Sequence, residues 1–152
     1  MAIVRVRTEI RAPAERVFDL ARDVDLHVAS MRRHGEIPVA GVTSGLIGEG
    51  EEVRWRARHL GRTFELTARV TAFERPAYFR DVQVSGPFVR FEHEHRFDAV
   101  ESGTVMTDVV EYAAPLGLLG RLSDRLILRR TLTRLLDERA GAIKGAAERG
   151  RD

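Results

Sequence analysis

The sequence predicts an α+β domain whose helices are segregated from an antiparallel sheet. Three observations carry this: period-two alternation through most of residues 3–113, a helical stripe beyond residue 120, and the Pro/Gly segment PLGLLG at 115–120 between them. Residues 3–11 place Val4, Val6, Thr8 and Ile10 on one face and Arg5, Arg7, Glu9 and Arg11 on the other, which is a half-buried strand. Pro13 suits the first turn of a helix, where its missing N–H costs nothing, and Glu15 suits the positive end of the helix dipole. Val17, Leu20, Ala21 and Val24 follow at helical spacing, and Asp25 is expected to cap a second short helix reaching Met31.

Alternation then returns. GVTSGLIGEG at 41–50 reads as glycine-rich turn chemistry, since it lacks the Gly-Lys-Ser/Thr ending of a phosphate loop. Val53, Trp55, Ala57 and His59 oppose Arg54, Arg56 and Arg58, while Phe64, Leu66, Ala68, Val70 and Ala72 oppose Glu65, Thr67, Arg69 and Thr71. Arg75-Pro76, Ser85-Gly86-Pro87 and Ser102-Gly103 mark turns between the strands that follow. The Ser85-Gly86-Pro87 turn closes in two ways that bring opposite faces of residues 78–84 inward, so Asp81 and Gln83 stay unassigned. Residues 121–149 read as one helix with Leu122, Leu126, Arg129, Thr133, Leu136, Ala140 and Ile143 along its stripe. The expectation is a single domain over residues 1–152: a curved seven-stranded sheet wrapped on a long C-terminal helix, with two short helices after the first strand. A helix across a concave sheet rarely fills it, and such sites tend to be apolar pockets with a few polar groups.

Composition excludes several functions. The 25 Lys and Arg nearly balance 23 Asp and Glu, and Arg54, Arg56 and Arg58 have no interleaved aromatics, so nucleic acid is not expected as a partner. The arginines at 121, 125, 130 and 134 read as a solvated helix face with i, i+4 partners such as Arg134 with Glu138, rather than as an anionic-lipid surface. No stretch approaches the roughly 20 apolar residues of a membrane span, so stable insertion is not expected. Cysteine is absent, which fits a reducing compartment, and a cytoplasmic protein is expected.

His93 and His95 lie two apart on a strand and face the same way, flanked on that face by Phe91 and Phe97; their alternate neighbours Arg90, Glu92, Glu94 and Arg96 are all charged, which turns the histidines inward. A turn at Glu101-Ser102 pairs His95 with Asp108; a turn at Ser102-Gly103 pairs it with Val110 and leaves Asp108 diagonal. In both cases His95 and Asp108 share a face. A carboxylate beside a buried histidine fixes its tautomer and raises its pKa, either as a polar anchor of the core or as acid–base machinery. The anchor is the expected role. In the catalytic alternative His95 or His93 takes a proton, with Asp108 as the orienting group. A metal would need His93, His95 and Asp108 or His59 as ligands; nothing else resembles a metal motif, and neither a metal nor a cofactor is expected. The expected pocket walls are Trp55, Phe64, Leu66, Phe91, Phe97, Met106, Tyr112, Leu122 and Leu126, with His93, His95 and Asp108 orienting a polar end of the ligand.

The order of elements resembles the SRPBCC helix-grip superfamily of START lipid-transfer domains, birch-pollen-allergen-like proteins and aromatic polyketide cyclases. Within it, VSGPFVRFEHEHRFDAVESGTVMTDVVEYAAPLGLLG is similar to a bacterial ligand-binding subgroup also found fused to sugar-nucleotide-epimerase-like proteins; Ser85-Gly86-Pro87-Phe88, His93-Glu94-His95, Phe97, Asp108, Tyr112 and Pro115-Leu116-Gly117 carry the likeness. The resemblance implies binding of a small hydrophobic molecule such as a lipid, polyketide or isoprenoid. A cyclase- or dehydratase-like enzyme and a protein-interaction domain, including a homodimer, are the alternatives.

Overall fold

The computed structural model describes residues 1–59, 61–115 and 122–150; all but the first residue of the Pro/Gly segment at 115–120 lies outside the described residues, as do the side chains of His59 and of residues 122–124, Leu122 among them. The chain runs β1 (Ala2–Ile10), α1 (Ala14–Ala21), α2 (Val24–Ser30), a short 3-10 turn (Arg32–His34), β2 (Ile37–Gly41), β3 (Glu52–His59), β4 (Arg62–Glu74), β5 (Tyr78–Ser85), β6 (Arg90–Val100), β7 (Gly103–Ala113) and α3 (Leu122–Glu148). The strands form one seven-stranded sheet in the order β1-β7-β6-β5-β4-β3-β2, and every pairing is antiparallel. None of the described helices is long and apolar enough to cross a membrane.

The alternation in β1 buries Val4, Val6 and Ile10, and α1 drives Val17 and Phe18 into full burial. The cap of α2 is Asp23 rather than Asp25: its carboxylate accepts the N–H groups of Asp25 and Leu26 at 2.9 and 3.2 Å. The Asp25 carboxylate instead accepts the N–H of Gly45 at 3.0 Å, which fastens the 41–50 loop to α2. Gly103, at φ 145°, opens β7 where a Cβ would meet the Ile10 carbonyl oxygen at 2.2 Å, so only glycine lets the strand start against the end of β1.

Two irregularities in the β4–β5 ladder decide which side chains point inward. Thr71 is an extra residue on β4, between the pairs Val70–Asp81 and Ala72–Arg80, and Val84 is an extra residue on β5, between Ala68–Gln83 and Thr67–Ser85. The slip at Thr71 reverses parity, so Phe73, opposite Phe79, takes the inward place expected for Ala72. Phe79 and Asp81 therefore face the concave side, opposite His95 and His93 on β6.

The second half of α3 closes the core, burying Leu136, Ala140 and Ile143 of the expected stripe and Ala147 one turn further on. The first half does not follow the expected stripe. Leu126 is 46 % exposed, while Leu128, Leu132 and Leu135 turn towards the sheet and line its cavity. At 3.6 residues per turn Leu126 and Leu128 lie about 160° apart, so only one of them can face inward. Leu136→Ala should cost about 2 kcal/mol, near the lower end for a buried leucine because it already borders a cavity. Leu126→Ala should change stability by less than about 0.5 kcal/mol. Urea denaturation of both variants checks this, and the reverse ranking would restore the original helix face.

Candidate functional site

Between the concave face and α3 lies a cavity of about 270 Å³. Its apolar wall comes from β3 and β4 (Trp55, Ala57, Phe64, Leu66, Ala68), from the β5–β6 connection and β6 (Phe88, Phe91), and from Leu128, Leu132 and Leu135 of α3. Six polar residues interrupt it: His27 of α2, Glu36 ahead of β2, Asp81 of β5, His93 of β6, and Thr131 and Arg139 of α3. A second space of about 60 Å³ lies behind His27, Trp55, Ala68, Asp81 and Arg139, which line both.

Of the residues expected to form the wall, Trp55, Phe64, Leu66 and Phe91 line this cavity, and so does His93, expected at its polar end. Phe97 and Met106 are corrected to core residues, at 3 % and 0 % exposure, packed with Val17 and Phe18 beneath the α1 end of the sheet. Tyr112 is buried in the same core with its ring 6.0 Å from Phe88, and Leu126 faces solvent. His95 and Asp108 are sealed behind His93, at 1 % and 6 % exposure.

These two nevertheless form the centre of a buried polar chain that reaches the cavity at both ends. The register pairs His95 directly with Asp108, so the β6–β7 turn is the Glu101-Ser102 closure. Asp108 Oδ1 accepts from His93 Nε2 at 3.0 Å and from His95 Nδ1 at 3.2 Å, and Asp81 Oδ2 accepts from His95 Nε2 at 2.8 Å. The result is an alternating chain, His93–Asp108–His95–Asp81, whose two ends reach the cavity while its two middle members do not. The His95 ring is held between Phe79, stacked at 4.0 Å, and His93, stacked at 3.7 Å.

Ionised carboxylates only accept, so His95, with a carboxylate on each nitrogen, carries both ring protons. Burial alone would lower the pKa of His95, but the bonds to Asp108 and Asp81 outweigh it and raise the pKa above the ordinary histidine value. For His93 burial and the neighbouring charge of His95 prevail over Asp108, and its pKa falls. Burial would raise Asp108, yet the two imidazole bonds hold it well below the usual carboxylate range; Asp81 is lowered for the same reason by His95. Adjacent histidines are thereby driven in opposite directions.

Sequence reasoning did not find the second polar group. His27 bonds Glu36 Oε1 through Nε2 at 2.5 Å and stacks on Trp55 at 4.0 Å; burial, then the charge of Arg139, lowers its pKa. Arg139 donates to the Ala21 carbonyl at 2.6 Å, tying α3 to the end of α1. Its signal was a cation set between Leu136 and Ala140 within the apolar stripe.

This architecture recurs in solved structures. TTHA0849 from Thermus thermophilus matches with a TM-score of 0.74 at 22% identity, over 97% of this chain and 100% of that one. The Zhui aromatase/cyclase from Streptomyces sp. R1128 matches with a TM-score of 0.76 at 20% identity, over 97% and 94%. The ginseng major latex-like protein 151 from Panax ginseng matches with a TM-score of 0.67 at 14% identity, over 97% of each chain. At these identities the likeness shows the helix-grip fold. No curated protein matches the sequence. The model of one family, described as polyketide cyclase / dehydrase and lipid transport, matches residues 1–148, and the chain belongs to that family.

Proposed function

We propose that the domain binds and carries a small, largely apolar molecule with one polar end, in the cytoplasm, and that the cavity of about 270 Å³ between the sheet and α3 is its site. The observation that carries this is the division of the cavity wall into an apolar majority and one polar patch of His27, Glu36, Asp81, His93 and Arg139. An apolar cavity of about 150 Å³ accepts benzene, so this one suits roughly ten heavy atoms: a bicyclic ring system or a medium-length chain. A longer chain would have to project through the mouth. A cavity of this size also favours a ligand over a purely protein-binding role.

The carrier is preferred to the catalyst because His95, the better-oriented imidazole, has both nitrogens engaged by carboxylates and no opening to the cavity. A general base must reach the proton it removes. His93 does line the cavity, and it is the residue on which a cyclase- or dehydratase-like activity would rest.

Trp55 is the protein's single tryptophan and part of the cavity wall, so its fluorescence reports occupancy directly. Titration with 1-naphthol or decanoate should change its emission saturably. Ala68→Phe, which fills the cavity from its wall without adding a tryptophan, should weaken that response at least about tenfold, equivalent to about 1.4 kcal/mol of binding. An equal response in both proteins would mean surface adsorption and would end this reading.

A further inference from the structure

We propose that Asp81, His93 and His95 form a binding site for a divalent first-row transition-metal ion, with zinc the best match, at the polar side of the cavity. One ligand atom from each of the three lies within 4.8 Å of the other two. All three residues stand on adjacent paired strands, with Asp81 directly opposite His93, so the set is held by the sheet rather than by a loop.

The groups around the three residues favour coordination. A metal-bound imidazole commonly gives its other ring nitrogen to a carboxylate, which fixes the ring and strengthens the ligand. Asp108 Oδ1 serves both histidines in this way, holding Nε2 of His93 and Nδ1 of His95. The remaining ring nitrogens are Nδ1 of His93 and Nε2 of His95, and the latter already meets Asp81 Oδ2 at 2.8 Å. Around a tetrahedral ion with bonds of about 2.0–2.2 Å, neighbouring ligand atoms sit about 3.3 Å apart. The Asp81–His95 pair would open slightly, and the third ligand would close in by side-chain rotation.

Charge leads to the same place. Asp81 and Asp108 bring two negative charges into the interior, and a dication with two neutral imidazoles balances them. The proton on His95 Nε2 leaves as the ion enters. Two imidazoles and a carboxylate suit zinc and its neighbours rather than calcium or magnesium, which prefer all-oxygen sites. Because Asp81 and His93 line the cavity while His95 closes the back, a fourth coordination position would face the ligand space. From the sequence no metal is expected, since nothing resembles a metal motif, and the third ligands it offers are Asp108 or His59 rather than Asp81. The structure places Asp108 behind the histidines instead.

The test is a titration of chelator-treated, full-length protein with Zn²⁺ by calorimetry, and with Co²⁺ by visible absorption. Wild type should take up one equivalent, and Co²⁺ should develop the d–d bands of a low-coordinate nitrogen and oxygen site that Zn²⁺ then bleaches. Asp81→Asn and His93→Gln, checked for folding by circular dichroism, should weaken binding at least about 100-fold, and Asp108→Asn by about 10–100-fold. His34→Gln, which alters a histidine paired with Glu138 away from the cavity, should leave it unchanged. Absence of one-equivalent uptake by wild type overturns the proposal without needing any variant, as does uptake that survives His93→Gln. Naphthol binding to the metal-free protein is measured separately, so failure of the metal site and failure of the cavity reading give different results.

Discussion

Phe18→Ala should cost about 4–5 kcal/mol, which is a third or more of the stability of many domains of this size. Phe18 is fully buried, and its ring sits 5.2 Å from each of Phe73, Phe79 and Phe97, all close to edge-to-face. The loss combines the transfer free energy of the side chain, the cavity left behind and aromatic pairs worth about 0.5–1.5 kcal/mol each. The damage should reach the site, because Phe79 is also the ring stacked on His95. Urea denaturation followed by circular dichroism, with Trp55 emission as a second probe, measures both effects. A cost below about 2 kcal/mol would show that the three partner rings collapse into the space and that Phe18 is not the centre of the core.

Much of this arrangement was legible before any coordinates. Alternation in β1, β3, β6 and β7 reports sheets with one buried face, and parity alone set His95 and Asp108 on the same side whichever turn closed the hairpin. Phe18 was harder to single out, since the helical spacing of Val17, Leu20 and Ala21 was read without it. Asp81 stays open in the sequence because the Ser85-Gly86-Pro87 turn can close in two ways, and counting across from β4 does not settle it, since β4 and β5 each carry an extra residue, Thr71 and Val84. A bulge is invisible to a strict period of two, and it reverses every face beyond it.

The remaining losses have a different origin. Leu126, Ile127 and Leu128 are consecutive apolar residues, and a run of three offers no unique helical face. Which of them faces inward depends on how α3 lies over β1, α1 and α2. The same placement brings His27, Glu36 and Arg139 into one patch, although they come from α2, the segment before β2, and α3. Such meetings between distant elements are set by tertiary packing, not by local pattern.

Asp108→Asn should destabilise the metal-free protein by about 3 kcal/mol near pH 6. A carboxylate accepting from two buried imidazoles, one of them charged, is replaced by an amide whose NH₂ end can only donate. The pH dependence identifies the cause. Asp108 has a depressed folded pKa, so its contribution is present above the unfolded value of about 3.9 and is lost as pH falls through the folded value. His95 has a raised folded pKa, so its contribution is complete below the unfolded value of about 6.5 and is lost as pH rises through the folded value. The gap between wild type and variant should therefore be widest from about pH 4 to about pH 6.5 and narrow on both sides. In the wild type His93, whose folded pKa is lowered, adds an acid loss of its own, because below about pH 6.5 the unfolded chain takes up a proton that the buried imidazole resists. Denaturant midpoints across pH 3–9 test this directly, with Asp108→Leu as the apolar comparison. A gap that stays constant across the whole range would mean that the loss comes from packing and that the His93–Asp108–His95–Asp81 chain carries no charge in the folded protein.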